Sequence, residues 1–158
     1  MGNRDDVLKA YYKIEAEFDY SYGKISRFFR EIMENQRIMG AKCPKCGTVF
    51  CPPTSDCPKC WVPTEWVDVG PQGTMLHYTL INLPALWIEK EVPYTLGLIK
   101  LDGADTGLMH FVDENDLLKL KNGLRVEAVF EEERKGYITD IAHFKVVCHD
   151  SKGAVSGP

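Results

Sequence analysis

The chain has 158 residues, 44% hydrophobic and 27% charged, which fits one ordinary globular domain or two small ones. No apolar run approaches the roughly 18–20 residues of a membrane span, and Met1–Asp6 lacks the apolar core of a signal peptide, so no membrane partner and a cytoplasmic location are expected. A net charge of -4 and a pI near 5.6 make a poor general binder of phosphate backbones, which need clustered Lys and Arg, so nucleic acid is not the expected partner.

Val7, Leu8, Tyr11, Ile14 and Phe18 recur at helical spacing and predict a first helix over residues 4–18. Ile25, Phe28, Phe29, Ile32 and Met33 predict a second, with Asp19 or Ser21 as its cap. These stripes either pack on the rest of the chain or cover a partner protein, because two short helices have little core of their own. Residues 1–40 are therefore read as an N-terminal helical arm, 41–69, which hold the paired cysteines Cys43/Cys46 and Cys57/Cys60, as a zinc ribbon, 70–148 as a barrel domain and 149–158 as a flexible tail.

From Gly73 the hydrophobic period changes to two. Thr74–Ile81, Tyr94–Leu101 and Gly107–Val112 read as strands. Asp113–Leu120 reads as a short helix, with Leu117, Leu118 and Leu120 as its apolar residues. Leu124–Phe130 is a fourth strand, and Ile138, Ala142, Phe144 and Val146 alternate along a fifth, with Asp140 the exception. Five strands with a helix between the third and fourth is the element order of an OB-fold. The expected fold is thus mainly β with N-terminal helices: a rubredoxin-like zinc ribbon followed by a five-stranded OB-fold barrel.

The chemistry-bearing motif is Cys43-Pro44-Lys45-Cys46-Gly47 and Cys57-Pro58-Lys59-Cys60, two Cys-x-x-Cys pairs with ten residues between them. In a cytosolic protein such pairing favours metal over disulfides. Each pair presents two sulfurs from one tight bend, and Gly47 suits a turn that points backbone N–H groups at thiolates. Cys43, Cys46, Cys57 and Cys60 are the expected metal ligands. Four cysteines fill a tetrahedral zinc and leave no open position, so the metal is expected to be structural. Iron of the rubredoxin type is the competitor. Cys51 and Cys148 are left as spare thiols. Trp61 follows the second pair where Gly47 follows the first; it either covers the metal or projects toward a partner.

These pairs, with Cys51-Pro52-Pro53 between them and the strand set behind, resemble the acyl-CoA-associated zinc-ribbon/OB-fold family over roughly residues 20–147. Trp61 departs from the glycine common at that place. The resemblance implies a non-catalytic accessory subunit found with thiolases, thiolase-like ketoacyl synthases or lipid-transfer-type aldolases. It implies a hetero-oligomer with a thiolase-fold catalytic subunit, in aromatic or fatty-acyl degradation or in acetoacetyl-CoA metabolism. The ribbon and helices would dock on that partner while the barrel helps bind acyl-CoA or CoA.

No catalytic set is legible. Thiolysis needs a cysteine activated by histidine beside an oxyanion site. His77, His110 and His143 fall singly within strands, and His149 adjoins Cys148 on the opposite face of a strand. A CoA-type ligand calls for an aromatic against adenine and cations for phosphates. Trp87, Lys90, Tyr94, Lys100 and Arg125 are the candidates, against ordinary packing and surface roles. Two other functions stay open: a nucleic-acid-binding zinc-ribbon/OB-fold protein, and a rubredoxin-like electron carrier.

Overall fold

The computed structural model describes residues 10–13, 15, 17–85, 88 and 90–147. A short 3-10 turn leads into helix α1 (Ser26–Asn35). Strands β1 (Ile38–Lys42), β2 (Val49–Phe50) and β3 (Glu65–Val69) form a three-stranded antiparallel sheet in the order β2-β1-β3. Strands β4 (Gln72–Ile81), β5 (Tyr94–Leu101), β6 (Leu108–Val112), β7 (Leu124–Phe130) and β8 (Ile141–Val146) close into a barrel in the order β4-β5-β6-β8-β7. Its neighbours are antiparallel except β6 and β8, which meet in parallel at Val112 and Phe144. This is the small Greek-key barrel expected from the strand order.

Helix α1 forms because Phe28 and Ile32, one turn apart, both bury completely. It stops at Gln36, whose left-handed backbone (φ 53°) lets the Gln36 N–H donate to Ile32 O and the Arg37 N–H to Glu31 O. Phe28 and Ile32 of this stripe cover the chain's own core. Phe28, Ile32, Ile38, Met39 and Val69 share one apolar cluster with Met75, Ile99, Val126, Ile141 and Phe144 of the barrel. Helix, ribbon base and barrel are therefore one packed unit.

Polar contacts reinforce two seams of that unit. At the ribbon, the Asp105 N–H donates to Val49 O, and the Asp105 carboxylate accepts from the Val49 N–H, both at 2.8 Å. The Thr106 hydroxyl accepts from Cys51 N–H (2.7 Å) and donates to Cys51 O (3.0 Å). At the helix, the Arg134 Nε donates to Met33 O across 2.7 Å.

Three expectations fail locally. The described residues between 10 and 22 carry no helix, and Tyr11, Tyr12, Phe18 and Tyr20 are exposed. Val7, Leu8 and Ile14 lie outside the described residues. A short helix without a surface for its stripe is marginal in water, and the core has already taken α1. Asp113–Leu120 makes a turn in place of a helix. There the Glu114 and Asp116 carboxylates accept the N–H groups of Asp116 and Leu118, competing with helical bonding. Leu120 is buried but Leu118 is 96% exposed, so no helical stripe exists to bury. The last strand starts at Ile141 because the buried Asp140 carboxylate gathers the N–H groups of Lys135, Gly136 and Tyr137 into a turn.

Gly73 marks the tightest approach in the barrel. A Cβ there would stand 2.5 Å from Lys100 O and 2.9 Å from Leu101 Cα, both backbone atoms of the paired strand. Gly73→Ala is expected to lower stability by about 3 kcal/mol, read from urea unfolding of the metal-loaded chain.

Candidate metal centre and barrel face

Two knuckles of the same design build the metal centre. In the first, Cys43 N–H donates to Thr48 O and Gly47 N–H to Cys43 O. In the second, Cys57 N–H donates to Val62 O and Trp61 N–H to Cys57 O. All four bonds are 2.9 Å long. β1 delivers the first knuckle, and a bridge between Asp56 and Pro63 closes the base of the second. The Sγ atoms of Cys43, Cys46, Cys57 and Cys60 all lie within 4.8 Å of one another, and those of Cys46 and Cys57 are 3.8 Å apart. Four Zn–S bonds of 2.3 Å in a tetrahedron demand sulfur separations of about 3.8 Å, so the arrangement fits a tetrahedral ion.

The electrostatics ask for a cation. Thr48, through its hydroxyl and backbone, holds the Cys46 thiol down to about 6, so this sulfur is a thiolate at neutral pH. Burial, and then the neighbouring sulfurs, push Cys60 up to about 12. Protons alone therefore cannot leave four thiolates side by side, whereas a divalent cation among them removes that penalty. Cys43 and Cys57 are buried with Phe50, against Cys60 and Val62, in a small cluster separate from the main core. Cys51 belongs to the main core, and burial pushes its thiol up to about 12, as suits an unreactive packing residue. Cys148 lies outside the described residues.

The ligand candidates on the barrel do not converge. Arg125 is committed: its guanidinium donates to both Asp102 carboxylate oxygens (2.8 and 2.5 Å) and to the Thr74 hydroxyl (3.0 Å). That pairing holds the Asp102 carboxyl below the usual carboxylate range. Thr74 is paired with Lys100 on one side and Arg125 on the other, so these three share one row of the barrel exterior. Lys100 borders a groove of about 580 Å³ with Asp102 and Asp105. Lys90 stands elsewhere, its Nζ 4.8 Å above the Phe111 ring, beside a cavity of about 330 Å³ lined by Glu131, Thr139 and Ile141. Tyr94 is 2% exposed and packs edge-on to Phe111, so its ring offers no open face. Trp87 lies outside the described residues.

A face that sequence reasoning missed lies between these cations. Leu98 and Leu96 of β5 pair with Met109 and Phe111 of β6 on the outside of the barrel. Leu96, Leu98 and Met109, with His77 and Thr79, line a cavity of about 240 Å³ that is almost wholly apolar. The available signal was the unbroken apolar run Leu96-Gly97-Leu98-Ile99, which departs from the alternation of a one-sided strand.

The described histidines form no couple with a cysteine. His77 sits 3.4 Å from Asn122, and His143 lies 3.7 Å from Asp113. His110 is buried inside the barrel, where its Nε2 can only donate to Ile138 O (3.2 Å), leaving Nδ1 without a partner. Burial lowers its pKa below the ordinary 6.5. The unfolded chain therefore takes up a proton that the folded chain refuses. That share of stability is complete above about pH 6.5 and falls away as pH drops toward the folded value, by up to about 1.4 kcal/mol per pH unit. His110→Gln is expected to flatten this acid limb relative to wild type, measured by urea unfolding between pH 7 and pH 5.

Two family models match the chain in succession. Residues 30–65 match the ChsH2 rubredoxin-like zinc ribbon domain, and residues 66–131 match the ChsH2 C-terminal OB-fold domain. The chain is similar to a DUF35 domain-containing scaffold protein of Methanocaldococcus jannaschii, 32% identical over 131 residues, covering 78% of this chain and 91% of the relative. A protein of the same description from Methanothermobacter thermautotrophicus is 29% identical over 112 residues, covering 69% and 83%. Among solved structures, the chain is similar to one described as Ltp2-ChsH2(DUF35) aldolase (20% identity, TM-score 0.61, 81% of this chain and 98% of that one). It is also similar to a DUF35-family protein of unknown function from Sulfolobus solfataricus (23%, TM-score 0.60, 79% and 87%). At these identities the two structures speak for the fold alone.

Proposed function

Because the chain belongs to the DUF35 family, with a ChsH2-type zinc ribbon and OB-fold, we propose that it is a zinc-holding scaffold subunit of a complex acting on acyl-CoA, without catalytic residues of its own. The observation that carries this reading is the closed four-cysteine centre, a metal site with no position left for substrate, built onto a barrel. The archaeal relatives are named scaffold proteins, and one fold neighbour is described as an aldolase of Ltp2 with ChsH2. The proposed partner is a thiolase-fold catalytic chain, in a cytoplasmic hetero-oligomer.

In this reading residues 41–69 act as the ribbon, 70–148 as the barrel and 149–158 as a tail, while 1–40 is an N-terminal segment whose helix α1 is docked on the chain's own core. The apolar exterior of β5 and β6 takes the acyl or pantetheine part of the thioester. Lys90 and Lys100, unlike Arg125, have ammonium groups free of carboxylate pairs among the described residues and serve the CoA phosphates.

Co-expression with the thiolase-fold chain tests it. A stable complex of defined stoichiometry, stoichiometric zinc, and no thiolysis by the isolated 158-residue chain are expected. Thiolysis by that chain alone, or two separate peaks on gel filtration, would sink the reading. Iron in place of zinc would move the chain toward electron transfer.

A further inference from the structure

The two knuckles are internal controls for each other. Both turn with the same pair of backbone bonds, and both put the residue after the second cysteine in the left-handed region: Gly47 at φ 77° and Trp61 at φ 53°. Glycine enters that region freely, while a bulky L-residue is strained there. A Cβ at Gly47 would meet nothing within 4 Å, so the first knuckle leaves this position facing open space.

Trp61 occupies the matching place and stays 84% exposed. It does not shield the metal centre, since Cys46 remains exposed. Trp66, by contrast, is half-buried under the Arg27 guanidinium at 5.7 Å. The isolated fold thus carries both a strained backbone and a bare indole at one position, where the glycine of the other knuckle would serve it better. Two exposed lysines ride on the same knuckles, Lys45 and Lys59, and neither is ion-paired among the described residues.

We propose that Trp61 is the anchor of the second knuckle, seated in an apolar pocket of a protein partner whose rim carries carboxylates for Lys45 and Lys59. This rests on the scaffold reading and adds the residue that selects and orients the partner. Buried tryptophans are the side chains that most often dominate interface affinity. Because the first knuckle carries glycine, the two-knuckle tip presents one anchor and docks in one orientation. A membrane is the poorer occupant: one indole and two lysines on a chain of net charge -4 fall short of the two signals that stable anchoring needs.

Trp61→Gly gives the second knuckle the backbone already seen in the first. The expected result is unchanged metal content, a melting temperature equal to or above wild type, and at least tenfold weaker binding to the thiolase-fold partner by titration calorimetry. Trp61→Phe should recover part of that loss, and Lys45→Glu with Lys59→Glu should weaken binding severalfold at low salt. Binding of Trp61→Gly within twofold of wild type overturns the anchor while leaving the scaffold reading intact. A fall in melting temperature or metal content shows a structural role and also overturns it. If wild type fails to bind the thiolase-fold chain, the scaffold reading falls and takes the anchor with it. Trp61-dependent binding to phosphatidylserine vesicles would replace the protein pocket with a lipid surface.

Discussion

Removing the metal is expected to melt the two knuckles and leave helix and barrel folded. The reason is the division of the apolar interior. Cys43, Phe50 and Cys57, with Cys60 and Val62, form a small cluster of their own around the four sulfurs. Phe28, Ile32 and Met39 pack instead with the barrel residues. The knuckle cluster contains little apart from the ligands, so its folding free energy is essentially the metal's, about 10–16 kcal/mol apparent for structural zinc in small modules. Without it, Cys60 keeps its proton and the second bend has nothing to close on.

The seams at Asp105 and Thr106 hold Val49 and Cys51, at the base of the ribbon, to the barrel whether or not the tip is ordered. Hydrogen exchange after chelation should show protection lost in the two knuckles, residues 43–48 and 57–62, and kept at Val49 and Cys51 and in β4 to β8. Cys46→Ser should reproduce that pattern and abolish assembly with the partner. Protection lost throughout the barrel would mean that the metal holds the whole fold, contrary to the separate clusters.

The ribbon and most strands were legible because their signals are local. A metal site must bring two sulfurs from each bend, so the Cys-x-x-Cys spacing announces itself, and a half-buried strand must alternate. The failures have equally physical causes. Phe18 and Tyr11 keep helical spacing, but spacing does not supply a surface to pack against. Asp113–Leu120 has helical-looking leucines, yet its carboxylates capture the N–H groups that a helix needs. The fate of the ligand candidates was out of reach because strand pairing decides it. Arg125 and Thr74 are 51 positions apart and Arg125 and Asp102 are 23 apart, so nothing near Arg125 in the chain reveals its carboxylate. Trp61 was visible as a departure from glycine, but only the matching turn at Gly47 turns that departure into a statement about strain.

Phe28→Ala is expected to cost about 3–5 kcal/mol, the range for emptying a fully buried phenylalanine site. The spacing of Phe28 and Ile32 is equally compatible with a stripe that waits for a partner, and for such a stripe the cost in the isolated chain would be near zero. Burial decides between the two: Phe28 is 1% exposed, edge-on to Phe29 at a centroid distance of 5.2 Å, and continuous with the barrel core. Arg134, reaching from the β7–β8 loop to Met33 O, fixes the far end of the helix, so α1 cannot swing away to relax the cavity. Urea unfolding of the metal-loaded variant should therefore remain a single transition at a lower midpoint, because helix and barrel lose the same core. Phe29→Ala, at a half-buried position stacked on Tyr22 at 4.0 Å, should cost clearly less. A loss below about 1 kcal/mol for Phe28→Ala, or a separate early transition for the helix, would return α1 to the role of a free arm.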